Sequence, residues 1–144
     1  TVYPDATFTL RISYGQVKGW TENGRQVAPT TTLGGTFERA SGAEPFKLPQ
    51  AFLANARKID RGTVYDFVTT NDIIGGNSGS PVIDRAGTVI GAAFDGNIHS
   101  LGGNYGYDPE LNRTVVVSTA AVNEALRDIY PAPALLAELQ GRRR

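Results

Sequence analysis

The sequence predicts a mainly β fold closed by a C-terminal helix, and three observations carry that expectation. From Thr63 onward, short apolar runs recur between clusters of Gly, Asn, Asp and Pro, the spacing of strands joined by tight turns. The segment Gly75-Gly76-Asn77-Ser78-Gly79-Ser80-Pro81 is a glycine-rich turn running straight into Val82-Ile83, which reads as a buried strand. After Thr114-Val115-Val116-Val117 the period changes from strand to helix. Ser118 or Thr119 can cap a helix to about Tyr130, with Val122, Leu126 and Ile129 inward, and Pro131 and Pro133 end it.

Taken in order, residues 7 to 14 alternate, with Phe8, Leu10, Ile12 and Tyr14 on one face and Thr7, Thr9, Arg11 and Ser13 on the other, which predicts a half-buried strand. Gly15 interrupts it, and residues 16 to 20 continue it or pair back. Asn23-Gly24 signals a tight turn. Residues 21 to 47 have little periodicity and read as an extended connection. Pro49 opens a short helix with Phe52, Leu53 and Ala56 on one face. Val64 to Thr69 is a strand, as is Pro81 to Asp84, and Arg85-Ala86-Gly87 turns the chain into a further strand from Thr88 to Phe94. Residues 95 to 110 read as a long glycine-rich loop containing Pro109, and Leu135, Leu136 and Leu139 predict one or two last helical turns.

The 144 residues suffice for a domain with its own core, and 40% hydrophobic against 19% charged residues places the chain among globular proteins. No apolar run approaches the length of a bilayer span. Fourteen basic and fourteen acidic residues cancel, which argues against a nucleic-acid partner; Arg142-Arg143-Arg144 reads as a solvated tail. With no cysteine there is neither disulfide nor thiolate chemistry. With no methionine, the expectation is a processed chain or a piece of a longer one.

Glycines on both sides of Ser78 let the backbone turn sharply and let main-chain N–H groups converge beside the hydroxyl. A serine next to converging donors is what acyl transfer needs, a nucleophile with an oxyanion hole. The loop is similar to the nucleophile loop of chymotrypsin-like serine peptidases, and the succession of short strands around it fits the second barrel of their double β-barrel. Against this stands an ordinary hairpin loop, since Gly, Asn and Ser are all common turn residues. A base is also required, and His99, the one histidine, follows the serine by 21 positions, whereas the chymotrypsin-like order is His, Asp, Ser. A base and aspartate upstream, outside this chain, is the reading preferred over His99.

Several stretches together resemble the bacterial dipeptidyl-peptidases 7 and 11, serine peptidase family 46. They are Tyr3-Pro4-Asp5-Ala6 with Thr9-Leu10-Arg11, Tyr14-Gly15-Gln16-Val17-Lys18-Gly19, Thr31-Thr32-Leu33-Gly34-Gly35, the serine loop, Phe94-Asp95-Gly96-Asn97, and Asp108-Pro109. The resemblance implies release of dipeptides from free N-termini by a serine peptidase of periplasmic or cell-surface location. It implies a double β-barrel with an inserted helical domain, residues 1–60 being the return from that domain and 61–144 the second-barrel portion. It makes Ser78 the nucleophile and the N–H groups of Gly76 and Ser78 the oxyanion hole. Phe94, Asp95, Gly96 and Asn97 would bind substrate, Asp95 receiving the α-ammonium and Gly96 setting an apolar preference before the scissile bond. No metal or cofactor is implied. The partners are peptides and the rest of the same polypeptide, with homodimerisation left open. The residues alone also allow an Asp-Gly hairpin turn at Asp95-Gly96. Two other readings stand beside the dipeptidase: a glutamyl or trypsin-like endopeptidase, and a non-catalytic binding module with a degenerate serine loop.

Overall fold

A hairpin and a five-stranded sheet organise the strands of this computed structural model, which describes residues 9–141. β1 (Trp20–Glu22) and β2 (Arg25–Val27) pair antiparallel with Trp20 opposite Val27. Asn23 and Gly24 between them have φ of 50° and 75°, the left-handed pair a two-residue hairpin loop requires. The sheet comprises β3 (Thr30–Thr32), β4 (Val64–Thr69), β5 (Pro81–Ile83), β6 (Val89–Gly96) and β7 (Thr114–Ser118), in the order β3-β4-β7-β6-β5. β4 with β7, β7 with β6 and β6 with β5 are antiparallel. β3 and β5 are edges, so the described residues form an open sheet. The expected mainly β fold with a C-terminal helix is present, and no closed barrel is found among the described residues.

The chain divides into two compact units. One takes the described residues up to Thr30 with Asp66–Ser118; the other takes Thr31–Tyr65 with the residues from Thr119. In the first unit Phe67, Ala93 and Val116 are buried on the central strands. Beside them lies Arg113, only 1% exposed. Its guanidinium donates to the carbonyls of Lys18, Gly19, Pro109, Glu110 and Asn112, at 2.6 to 3.2 Å. Saturating every N–H offsets the cost of burying the cation and ties residues 18–19 to 109–112.

In the second unit α1 (Leu33–Glu38) and α2 (Gln50–Ala54) precede β4, while α3 (Thr119–Glu124), a π-helical segment (Ala125–Ile129) and α4 (Pro133–Leu139) close the chain. Leu33, Ile59 and Ile129 form its core, with Phe37, Phe52, Tyr65 and Ala125 against them. Each of the three buried aliphatic side chains contributes about 1.5–3 kcal/mol. Buried Glu124 accepts the Asp60 N–H at 2.7 Å and pairs with Arg127 at 3.1 Å. Among the described residues no helix is long and apolar enough to cross a membrane.

Several expectations are corrected. Residues 9 to 14 form no strand, and Leu10, Ile12 and Tyr14 are 94%, 84% and 91% exposed. Thr7 and Phe8 lie outside the described residues. Alternation specifies a two-faced strand only where something covers one face, and the described residues supply no cover. Nor do the residues after Gly15 pair back onto that stretch; residues 13–18 lie along 68–72 instead: Ser13 Oγ donates to Asp72 O at 2.9 Å, Thr70 N to Gln16 O at 3.0 Å and Lys18 N to Val68 O at 3.3 Å. The supposed connection over 21–47 holds β2, β3 and α1. Thr32 caps α1 by accepting the Gly35 N–H, but two helix-weakening glycines in its first turn hide it from propensity. In the C-terminal helix Val122 is 38% exposed, and Ala121, Glu124 and Ile129 are the buried positions. The π-helical turn, closed by Tyr130 N to Ala125 O at 2.7 Å, shifts the spacing that a regular helix would keep.

Candidate active site

Ser78 stands on two consecutive β-turns. Asn77 N donates to Ile74 O at 3.2 Å, and Ser80 N to Asn77 O at 3.0 Å. The third residues of these turns, Gly76 and Gly79, have φ of 90° and 86°, as type II turns require and as L side chains resist. Asn77 Oδ1 locks the first turn by accepting the Ile74 N–H at 2.9 Å. The loop is then laid against β6: Gly79 N donates to Ala93 O at 2.7 Å, Ala93 N to Ser80 O at 3.0 Å, and Ser78 Oγ to Phe94 O at a long 3.4 Å. Ser78 is exposed. Among the described residues the N–H groups of Gly76 and Ser78 donate to nothing.

The ladder between β6 and β7 slips beside the serine. Ala93 pairs with Val116 and Asp95 with Val115, so Phe94 is the extra residue of a β-bulge. Gly91 and Ala93 point into the core; unbroken alternation would send Asp95 the same way. The bulge instead leaves both Phe94 and Asp95 exposed. Asp95 Oδ1 accepts the Gly96 N–H at 2.8 Å, and no cation pairs with it among the described residues. Asp95 and Gly96 both lie within β6, so the Asp-Gly pair is strand and not the hairpin turn that the two residue types alone allowed.

Beyond β6, three hydrogen bonds tie the Asn97 side chain to the protein. Its Oδ1 accepts from Arg113 N at 3.0 Å and Ser100 Oγ at 2.9 Å, and its Nδ2 donates to Leu111 O at 2.8 Å. Arg113 and Asn97 thereby hold a 3₁₀ turn, Ile98–Gly102, against the end of β6. Nothing in the sequence pattern separates Arg113 from an ordinary loop charge. Asn97 is singled out in the sequence only through the Phe94-Asp95-Gly96-Asn97 stretch of the resemblance.

His99 sits on that turn with Nε2 at 3.3 Å from Glu22 Oε1 and its ring edge-on to Trp20, centroids 6.4 Å apart. The approach to Glu22 lacks hydrogen-bond alignment. No hydrogen bond joins His99 to Ser78. A hollow of about 480 Å³ lies elsewhere, lined by Lys18, Trp20, Thr21, Val27, Leu111 and Arg113 among others, and none of Ser78, Asp95 or Gly96 reaches it. Among the described residues no three His, Asp or Glu side chains gather as a metal site would need.

The peptidase S46 family model matches residues 1–141. A dipeptidyl-peptidase 7 of Capnocytophaga gingivalis is 40% identical over 129 residues, covering 81% of this chain and 18% of its own length. An Asp/Glu-specific dipeptidyl-peptidase of Flavobacterium psychrophilum is 35% identical, with the same coverage of each. The crystal structure of Porphyromonas endodontalis DPP11 in complex with the dipeptide Arg-Glu superimposes with a TM-score of 0.84 at 26% identity, over 94% of this chain and 21% of that one. The chain thus spans about a fifth of the length of the relatives it matches. Because the family model runs nearly end to end, and dipeptidyl-peptidases of both printed kinds match four-fifths of the chain at 35–40% identity, kinship is settled at the level of the family: the chain belongs to the peptidase S46 family.

Proposed function

We propose that this chain is the C-terminal part of a serine dipeptidyl-peptidase that releases dipeptides from free peptide N-termini and favours an apolar residue before the scissile bond. The observation that carries the reading is the pairing of an exposed serine on two positive-φ glycine turns with a bulge that brings a carboxylate to the open face one residue beyond the carbonyl Ser78 touches. Ser78 Oγ attacks the scissile carbonyl. The undonated N–H groups of Gly76 and Ser78 receive the oxyanion, whose charge develops only as the bond forms. Asp95 takes the substrate's α-ammonium, and the short reach from the serine to this anion suits a two-residue product. Two residues of extended chain span only about 7 Å.

A hydroxyl needs a base. In this reading the histidine and its orienting aspartate come from the remainder of the polypeptide, with residues 1–60 returning from an inserted domain and 61–144 contributing to the second barrel of a double-barrel catalytic domain. The relatives' names support dipeptide release. The endopeptidase reading leaves the exposed Asp95 without a task, and the intact Gly75-Gly76-Asn77-Ser78-Gly79 argues against a binding module with a degenerate loop. Phe94, exposed beside it, offers an apolar surface to substrate, while Asn97 acts by holding the 3₁₀ turn.

The test uses the complete enzyme with chromogenic dipeptides bearing free or acetylated amines. Cleavage confined to free-amine reporters and lost in Ser78→Ala supports the reading; cleavage of blocked and internal bonds refutes it.

A further inference from the structure

Gly96 is a glycine for a reason that lies in Ser100. Its φ is outside the left-handed region and its partner across the ladder is Thr114, so the backbone itself would accept any residue. Space would not. A Cβ placed on residue 96 would stand 2.8 Å from Ser100 Cβ and 3.3 Å from Ser100 Oγ, while the next atom, Arg113 O, is at 3.7 Å, an ordinary contact. Real Cβ atoms do not approach to 2.8 Å, so one side must give.

Ser100 is poorly placed to give way. Its N–H donates to Asn97 O at 2.9 Å, its hydroxyl to Asn97 Oδ1 at 2.9 Å and to Arg113 O at 3.3 Å, and its carbonyl accepts the Gly103 N–H at 2.9 Å. Asn97 N in turn donates to Arg113 O at 2.9 Å, and the Arg113 guanidinium is itself fixed by five backbone carbonyls. The 3₁₀ turn that carries Ser100 also carries Ile98 and Leu101, 66% and 80% exposed. Any residue that pushed Ser100 aside would move these apolar side chains with it.

Resting on the reading of Gly96 as the residue facing the penultimate substrate side chain, we propose that Ser100 is a second specificity determinant. It is a positioning residue whose Cβ and hydroxyl dictate that position 96 carry no side chain, and so keep the pocket open to apolar residues. A charged side chain at 96 that would select acidic substrates is excluded by Ser100, and becomes accommodated only when residue 100 is reduced to glycine. That change deletes the two near contacts and leaves the 3.7 Å one.

The experiment is a double-mutant cycle in the complete enzyme: Gly96→Arg, Ser100→Gly and both together, assayed for kcat/KM on Leu- and Glu-ending dipeptidyl reporters. Gly96→Arg alone should lose about tenfold or more on both reporters, as overpacked positions do. Ser100→Gly alone should keep the Leu-over-Glu ranking. The double variant should regain about tenfold over Gly96→Arg on the Glu reporter and rank Glu first, within the range one pocket contact can discriminate. A merely structural Ser100 would restore both reporters in the wild-type order. Gly96→Arg that is fully active with its ranking already reversed, or a double variant no better than the single, overturns the proposal. Gly96→Ala with and without Ser100→Gly, followed by thermal unfolding, reads the steric coupling without reference to activity. Non-additive melting shifts support it and additive ones overturn it. If Ser78→Ala stays active, the proposed role of Ser78 fails while this unfolding cycle still decides the coupling.

Discussion

Replacing Asp95 by alanine removes the anion that the β6 bulge exposes. In the protein its Oδ1 is held by the Gly96 N–H at 2.8 Å, which fixes the carboxylate and leaves Oδ2 for a ligand. A charge-assisted hydrogen bond to an ammonium is worth about 1.5–3 kcal/mol. At 1.36 kcal/mol per decade, that is roughly a 10- to 150-fold loss in kcat/KM. A fully desolvated ammonium would push the loss beyond that range, because an unpaired buried charge is costly. Asp95→Asn keeps the shape and the bond from Gly96 but not the charge, and should lose nearly as much. The assay compares initial rates on a free-amine dipeptidyl reporter in the complete enzyme, with the rate of covalent labelling of Ser78 by a small organophosphonate as a control for intact chemistry. The account expects the reporter rate to fall and the labelling rate to hold. An unchanged reporter rate in Asp95→Ala, or parallel losses in both, would refute the assignment of Asp95 to the amine.

Three further outcomes are expected. The 144-residue chain on its own should hydrolyse no dipeptidyl reporter, since among the described residues Ser78 has no base bonded to it; near-full turnover abolished by Ser78→Ala would contradict this. Gly79→Ala meets no neighbour within 4 Å, so its cost is backbone strain at φ 86°, about 1–2 kcal/mol. That strain should appear as lost kcat with a small change in melting temperature, and unchanged kcat would remove the turn from the mechanism. Asn97→Ala deletes three hydrogen bonds at about 1 kcal/mol each. Urea unfolding should show about 3 kcal/mol of destabilisation, and a variant of native stability with raised KM would return Asn97 to the substrate.

What the sequence made legible was local chemistry. Asn23-Gly24 marked its turn, and the glycines around Ser78 marked theirs, because positive φ leaves a compositional trace. β7 was legible as a run of β-branched residues between turn signals. What escaped depended on partners distant in sequence. Residues 9 to 14 carry a clean alternation yet bury nothing among the described residues, since a pattern states a preference and only a neighbour satisfies it. The bulge at Phe94 was invisible because no residue type encodes an extra residue relative to a partner strand. Without it, period-two reading sends Asp95 into the core. Arg113 looked like a loop charge, and only the folded positions of Lys18, Gly19 and residues 109–112 reveal it as the clamp behind Asn97 and Ser100.

The most direct test of the central claim is to label the complete enzyme with an organophosphonate that mimics the tetrahedral adduct, digest it, and locate the modified residue by mass spectrometry. The account predicts one adduct, on the peptide containing Gly76-Asn77-Ser78-Gly79 and on Ser78 itself, formed in step with loss of dipeptide release. An enzyme that releases dipeptides while its adduct maps to another residue, or that is fully inhibited with Ser78 unmodified, would contradict it.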